Sequence, residues 1–268
     1  MAPGFTQDTR LIADRTLDVP GDFNEFDDPA FQAYRTRLLA LAQKHGLAVL
    51  GARLATVNPQ ALDKLDNLLA ALAKLALDSQ HPELGSAPVL FDGESAGGCF
   101  AYAFTRRYPD RVIGFWTQKG GCHDTREGGA ARQVPGVLVI GGTDLQERCL
   151  NIAELFENNR PLGALWALAV QPGADHAPVR NLDVLFHWMD TILASRLPAG
   201  GPGALRPLSE ESGWLGDRET GTVAPFDNYE GNSVQASWLP SAQVAAGWSA
   251  LVSPGRQLGC PADPPDTE

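Results

Sequence analysis

The chain has 268 residues, 44% of them hydrophobic and 20% charged, the balance of a soluble globular protein with material for one sizeable core. A formal net charge of −11 with no Lys/Arg cluster argues against nucleic acid and anionic lipid as partners, and suits a neutral substrate better than a polyanion. No run approaches the apolar length that spans a bilayer, so no membrane association is expected.

Met1-Ala-Pro-Gly-Phe-Thr-Gln-Asp8 has no basic stretch followed by an apolar one, which predicts a protein cytoplasmic by default and secreted if a leader has been removed. Asp28-Pro29 predicts a helix start, a capping carboxylate followed by Pro at the first helical position. Apolar residues at Phe31, Tyr34, Leu38, Leu39, Leu41 and Ala42 carry that helix to a stop at Gly46. Leu47-Ala-Val-Leu50 then reads as a short strand buried on both faces. The unit repeats, with Leu62, Leu65, Leu68, Leu69, Leu72 and Leu75 marking a helix and Pro88-Val-Leu-Phe91 a strand. A helix from about Ala96 to Arg107 leads to the strand Val112-Ile-Gly-Phe-Trp116. Then come Val137-Leu-Val-Ile140, a helix through Ile152, Leu155 and Phe156, the strand-like Ala164-Leu-Trp-Ala-Leu-Ala-Val170, and a closing helix from Leu182 to Leu193. This alternation predicts an α/β fold, a doubly wound and mostly parallel sheet over residues 1–197.

After Pro198 Gly and Pro become frequent, and helical periodicity returns only at Ala242 to Leu251. Residues 198–253 read as an irregular extension packed on the core, with Trp214, Phe226, Tyr229, Trp238 and Trp248 as packing anchors or as pocket lining. Residues 254–268 read as a disordered tail. The four cysteines, Cys99, Cys122, Cys149 and Cys260, form no CxxC pair or Cys/His cluster, so no metal site is expected. Cys99 reads as a small core residue inside an apolar helix, and a Cys122–Cys149 bridge stays open.

The segment Phe91-Asp-Gly-Glu-Ser95-Ala-Gly-Gly98 joins a buried strand directly to a helix. GxSxG in that setting is a nucleophile elbow, in which flanking glycines permit a turn tight enough to lift Ser95 above the sheet. The Ala96 N–H opens the helix beside it and is a candidate oxyanion donor at the positive end of the helix dipole. Of the five histidines, His45 sits at a helix end, His81 in a loop and His187 inside the closing helix, all structural readings. His123 precedes the expected position of the acid and so comes too early. His176, in Gln171-Pro-Gly-Ala-Asp-His176-Ala-Pro178, follows the last core strand, where this architecture delivers its base. Asp144, three residues beyond Gly141 at the end of the preceding strand, is the candidate acid. Glu147 in the same loop is its stronger rival, and Asp175, adjacent to His176, the weaker one.

These residues resemble the α/β-hydrolase superfamily, and within it the branch of polyhydroxybutyrate-depolymerase-like and feruloyl-esterase-like serine esterases. The similarity runs from about Pro20 to Leu251 and is carried by Gly93-Glu-Ser-Ala-Gly-Gly98, Arg111-Val-Ile-Gly-Phe115, Lys119-Gly-Gly121, and Gly163-Ala-Leu-Trp-Ala-Leu-Ala-Val170 leading to Pro172-Gly-Ala-Asp-His176. The resemblance implies ester hydrolysis by Ser95, Asp144 and His176 without a cofactor, on a small-molecule or polymeric ester, polyester and aromatic esters included. One departure stands out: no His-Gly pair opens Pro20-Gly21-Asp22-Phe23-Asn24, as one often opens the oxyanion loop in such hydrolases, and only about twenty residues precede that segment, room for one strand or a small hairpin. Two readings stay open, a shortened N-terminal sheet edge or a shortened form of a longer protein; with Thr16-Leu-Asp-Val19 as the inner strand, the N–H of Asp22 or Phe23 is the expected second oxyanion donor. Two other activities fit the same residues: a thioesterase or acyltransferase using this triad, and a non-catalytic hydrolase-like binding protein.

Overall fold

The structure, a computed structural model, describes residues 29–51, 62–177, 182–198 and 203–252. The chain forms two compact units, Met1–Ala55 and Thr56–Glu268. In the first, helix α1 (Pro29–His45) stops where Gly46 takes φ +66°, and the Leu47 N–H donates to the Ala42 carbonyl at 2.8 Å. This six-to-one closure needs a left-handed residue, which glycine supplies without steric cost. Leu47-Ala-Val-Leu50 does not form the expected strand: it pairs with no strand among the described residues, and Leu50 is 41% exposed. An apolar run becomes a strand only where a neighbour closes its backbone hydrogen bonds.

In the second unit, α2 (Leu62–Ser79) precedes β1 (Val89–Glu94), α3 (Ala96–Arg107), β2 (Val112–Gln118), β3 (Gly136–Gly141), α4 (Gln146–Asn159), β4 (Trp166–Gln171) and α5 (Leu182–Arg196). The four strands are parallel and lie in the order β1-β2-β3-β4. β2 and β3 are buried throughout, which is why their sequences are apolar without alternation. Neighbouring residues of β2 meet helices on opposite faces: Phe115 lies 5.9 Å from Tyr102 of α3 between ring centres, and Trp116 lies 5.7 Å from Trp188 of α5. The fold is therefore α/β, a parallel sheet between helical layers. Its strand order runs one way, and the reversal that defines a doubly wound sheet is absent among the described residues.

One register explains a glycine in β3. Phe115, Gly136 and Trp166 are paired across three strands, and the Phe115 and Trp166 rings meet 5.7 Å apart. A Cβ on Gly136 would lie 2.2 Å from the Phe115 ring, so the missing side chain is what lets the two aromatics join over the middle strand. Each large side chain buried in this layer contributes about 2 kcal/mol.

The extension is more regular than its sequence suggests. β5 (Trp214–Gly216), β6 (Val223–Pro225) and β7 (Ser237–Leu239) form an antiparallel sheet in the order β6-β5-β7, followed by α6 (Ala242–Leu251). Strands of three residues are too short to display a period, so composition alone read as irregular. This sheet closes the outer edge of β4. Ser237 Oγ accepts from the Leu168 N–H at 3.0 Å and donates to the Leu168 carbonyl at 3.1 Å, and Trp248 Nε1 donates to that carbonyl at 2.9 Å. Arg160, buried at the end of α4, adds a second anchor through the carbonyls of Ala236 at 2.6 Å and Ser233 at 2.8 Å and through the Glu210 carboxylate. A buried guanidinium requires that full set of acceptors.

Candidate active site

Parallel strands bring their carboxyl ends to one edge, so the loops after β1, β3 and β4 share a rim. Ser95 follows β1 with φ +52° and ψ −122°, a conformation few non-glycine residues adopt. Its N–H donates to the Gln118 carbonyl at the end of β2 at 2.8 Å, and its carbonyl accepts from Gly98 and Cys99. Gly93 makes the turn possible, since a Cβ there would lie 2.5 Å from the Gly97 carbonyl oxygen. Ala96 is the first residue of α3, where a backbone N–H has no acceptor one turn back.

Ser95 and Asp144 leave strands two places apart, a gap of about 10 Å at the usual strand spacing. The His176 imidazole spans it: Nε2 lies 2.9 Å from Ser95 Oγ, and Nδ1 lies 2.9 Å from Asp144 Oδ2. To reach this place the loop after β4 crosses the end of β3. The Gly142 N–H donates to the Gln171 carbonyl at 3.0 Å and the Thr143 N–H to the Ala174 carbonyl at 2.9 Å. A Cβ on Gly141 would sit 2.3 Å from the Asp175 carbonyl oxygen, so this glycine clears the crossing.

Asp144 is buried, with a side chain 4% exposed. Burial pushes its carboxyl up, but hydrogen bonds from His176, the Leu145 N–H and Arg148 outweigh that and hold it below the usual carboxylate range. Arg148, one turn along α4, donates from Nη1 to Asp144 Oδ1 at 2.8 Å and lies 3.2 Å from His176 Nδ1. On the far side of the loop, buried Lys119 donates to Gln171 Oε1 at 3.2 Å and to the Ala177 carbonyl. Neither cation figured among the expected site residues, although the four-residue spacing from Asp144 to Arg148 is a legible helical pair.

The rivals point elsewhere: Glu147 is exposed, and Asp175 Oδ1 accepts from the Ala177 N–H at 2.9 Å, a local turn. His81 pairs with Glu83 at 2.9 Å, and His187 meets Gln243 at 3.1 Å. His123 is buried, with neither ring nitrogen hydrogen-bonded, and burial lowers its pKa to about 4. The expected second oxyanion donors, Asp22 and Phe23, lie outside the described residues, as does the strand expected before them. Cys99 is buried as expected but is no thiol: it is bonded to Cys122, with Cα atoms 5.7 Å apart. Cys149 is itself in a disulfide, so the Cys122–Cys149 pair does not form. The described residues hold no group of three or more His, Cys, Asp or Glu placed for a metal, and no helix long and apolar enough to cross a membrane. A cleft of about 220 Å³ lined by Phe156, Arg160, Arg218 and Val234, among others, contains none of Ser95, Asp144 and His176.

No protein-family model matches the sequence, and no curated protein matches it. Among solved structures the chain is similar to one titled a predicted CIB-like hydrolase from Thermoplasma acidophilum, at 20% identity and a TM-score of 0.36, over 60% of this chain and 78% of that one.

Proposed function

We propose that the chain is a serine hydrolase that cleaves carboxylic esters through an acyl-enzyme intermediate, with Ser95 as nucleophile, His176 as base and Asp144 as acid. The observation that carries this is the unbroken hydrogen-bonded series Ser95–His176–Asp144, built from three separate loops on a serine of strained backbone. Such strain costs on the order of 1–3 kcal/mol, and a serine with a purely structural part has no need of it.

The proposed steps use these contacts. Ser95 Oγ bonds to the acyl carbon while its proton passes to His176 Nε2, and the carbonyl π pair moves onto oxygen. The Ala96 N–H at the head of α3 donates to that oxyanion. Collapse breaks the bond to the alcohol oxygen, which takes the proton from Nε2. Water repeats the sequence to release the acid, and no cofactor takes part. Asp144 keeps the imidazole in the tautomer whose Nε2 accepts, and offsets the charge of the imidazolium. A neutral ester, small or polymeric, suits the acidic chain, and aromatic esters and polyesters belong to the proposed range.

A fluorophosphonate probe should label Ser95 stoichiometrically, and Ser95→Ala should abolish para-nitrophenyl ester turnover. A folded wild type that stays unlabelled overturns the proposal. Acyl-CoA substrates assayed beside esters separate ester from thioester cleavage by the same residues. The disulfides at Cys99–Cys122 and at Cys149 further support an oxidising compartment as the site of action. Mass analysis of thiols blocked without reduction should find none at Cys99 or Cys122.

A further inference from the structure

Resting on the serine-hydrolase reading, the geometry points to Arg148 as a positioning residue that holds the acid for the base. Asp144 has two oxygens and His176 can use one. Oδ1 is filled by the Leu145 N–H at 2.8 Å and by Arg148 Nη1 at 2.8 Å, which leaves Oδ2 facing His176 Nδ1. The backbone donor alone does not stop the carboxylate from rotating about its Cβ–Cγ bond. A second donor, set one helical turn away, does. The 3.2 Å approach of Nη1 to Nδ1 is not a hydrogen bond in the working tautomer, since both nitrogens are then donors. A guanidinium beside a developing imidazolium is repulsive, so the contribution of Arg148 is geometric.

The stem of Arg148 is itself confined. Gly121 has φ +79°, and a Cβ on it would lie 2.4 Å from Arg148 Cγ and 2.6 Å from its Cα. The next residue, Cys122, is bonded to Cys99, one turn beyond Ser95 on α3. The loop that presses on Arg148 is thereby tied to the helix that carries the nucleophile.

The test is Arg148→Ala in the full chain. kcat on a para-nitrophenyl ester should fall about tenfold to a hundredfold with KM unchanged, the usual scale for misplacing a catalytic group by a fraction of an ångström to one ångström. Millimolar guanidinium should restore much of the loss, which a packing role does not permit. A readout independent of turnover is the downfield proton resonance of His176 Nδ1–H. It should be present in the wild type, lost or broadened in Arg148→Ala, and returned by guanidinium. An unchanged kcat, a loss confined to KM, or a resonance indifferent to the substitution overturns the role of Arg148. If the wild type neither turns over ester nor labels at Ser95, the hydrolase reading fails, while the resonance still decides whether Arg148 positions Asp144.

Discussion

Protonation of His123 should make the fold acid-labile in a window set by one residue. The imidazole is 6% exposed, its two nitrogens have no partners, and its ring meets Tyr102 edge-on at 5.6 Å. Asn151 pins the backbone on both sides, accepting from the His123 N–H at 2.8 Å and donating to its carbonyl at 3.0 Å, so the ring has no easy way out. Burial takes its pKa from 6.5 to about 4. Well above pH 6.5 the ring is neutral folded and unfolded, and contributes nothing to pH dependence. Below it the unfolded chain binds a proton that the native chain refuses, so stability falls as the pH falls and levels off near pH 4. The full difference is about 3 kcal/mol, most of it already lost at about pH 4.5. At a urea m-value of ~3 kcal/mol/M this moves the midpoint by roughly 1 M. Urea denaturation of the wild type and of His123→Leu, each at about pH 7.5 and pH 4.5, isolates the contribution. The leucine variant should lose less stability than the wild type between the two values, by about that amount. Equal losses in both proteins refute the assignment, as does a native His123 that titrates near 6.5 by NMR.

Other expectations concern the site and its supports. Asp144→Asn should lower kcat by roughly 10⁴ while leaving fluorophosphonate-reactive Ser95 in place, measured by steady-state kinetics and slow labelling. Gly141→Ala forces a Cβ against the Asp175 carbonyl, so kcat should fall and His176 should shift in a crystal structure, at a stability cost of about 1–3 kcal/mol. Opening Cys99–Cys122 with a Cys99→Ala/Cys122→Ala pair releases a link spanning 23 residues and should cost about 3 kcal/mol by calorimetry. Ser237→Ala strands the Leu168 N–H in a buried place and should cost about 1–3 kcal/mol, read as a lower Tm.

Local chemistry was legible where it left a pattern. The parallel strands β2, β3 and β4 showed as apolar runs because both their faces are covered, and α3 began at Ala96 because GxSxG announces its own strand–turn–helix context. The chain order of Ser95, Asp144 and His176 selected the residues that lie within 2.9 Å contacts. Non-local pairings left no such trace. Cys99 looks like any buried small residue of an apolar helix, and only the fold brings Cys122 to it. Leu47-Ala-Val-Leu50 has the composition of a strand but no partner among the described residues, while β5, β6 and β7 have partners without a readable period. Arg148 was missed because a helical pair with Asp144 resembles ordinary surface charge until His176 is placed beside it.

The clasp on β4 has a consequence in time. Ser237 stands 69 residues after the Leu168 backbone it covers. At ribosomal rates of roughly 5–20 residues per second, the edge of β4 stays open for about 3–14 s after it has been made. Throughout that interval β4 offers an unpaired ladder to any neighbouring nascent chain, the arrangement from which strand exchange and aggregation begin. A chain cut short before Ser237 keeps that edge for life, even though Ser95, Asp144 and His176 have all been synthesised.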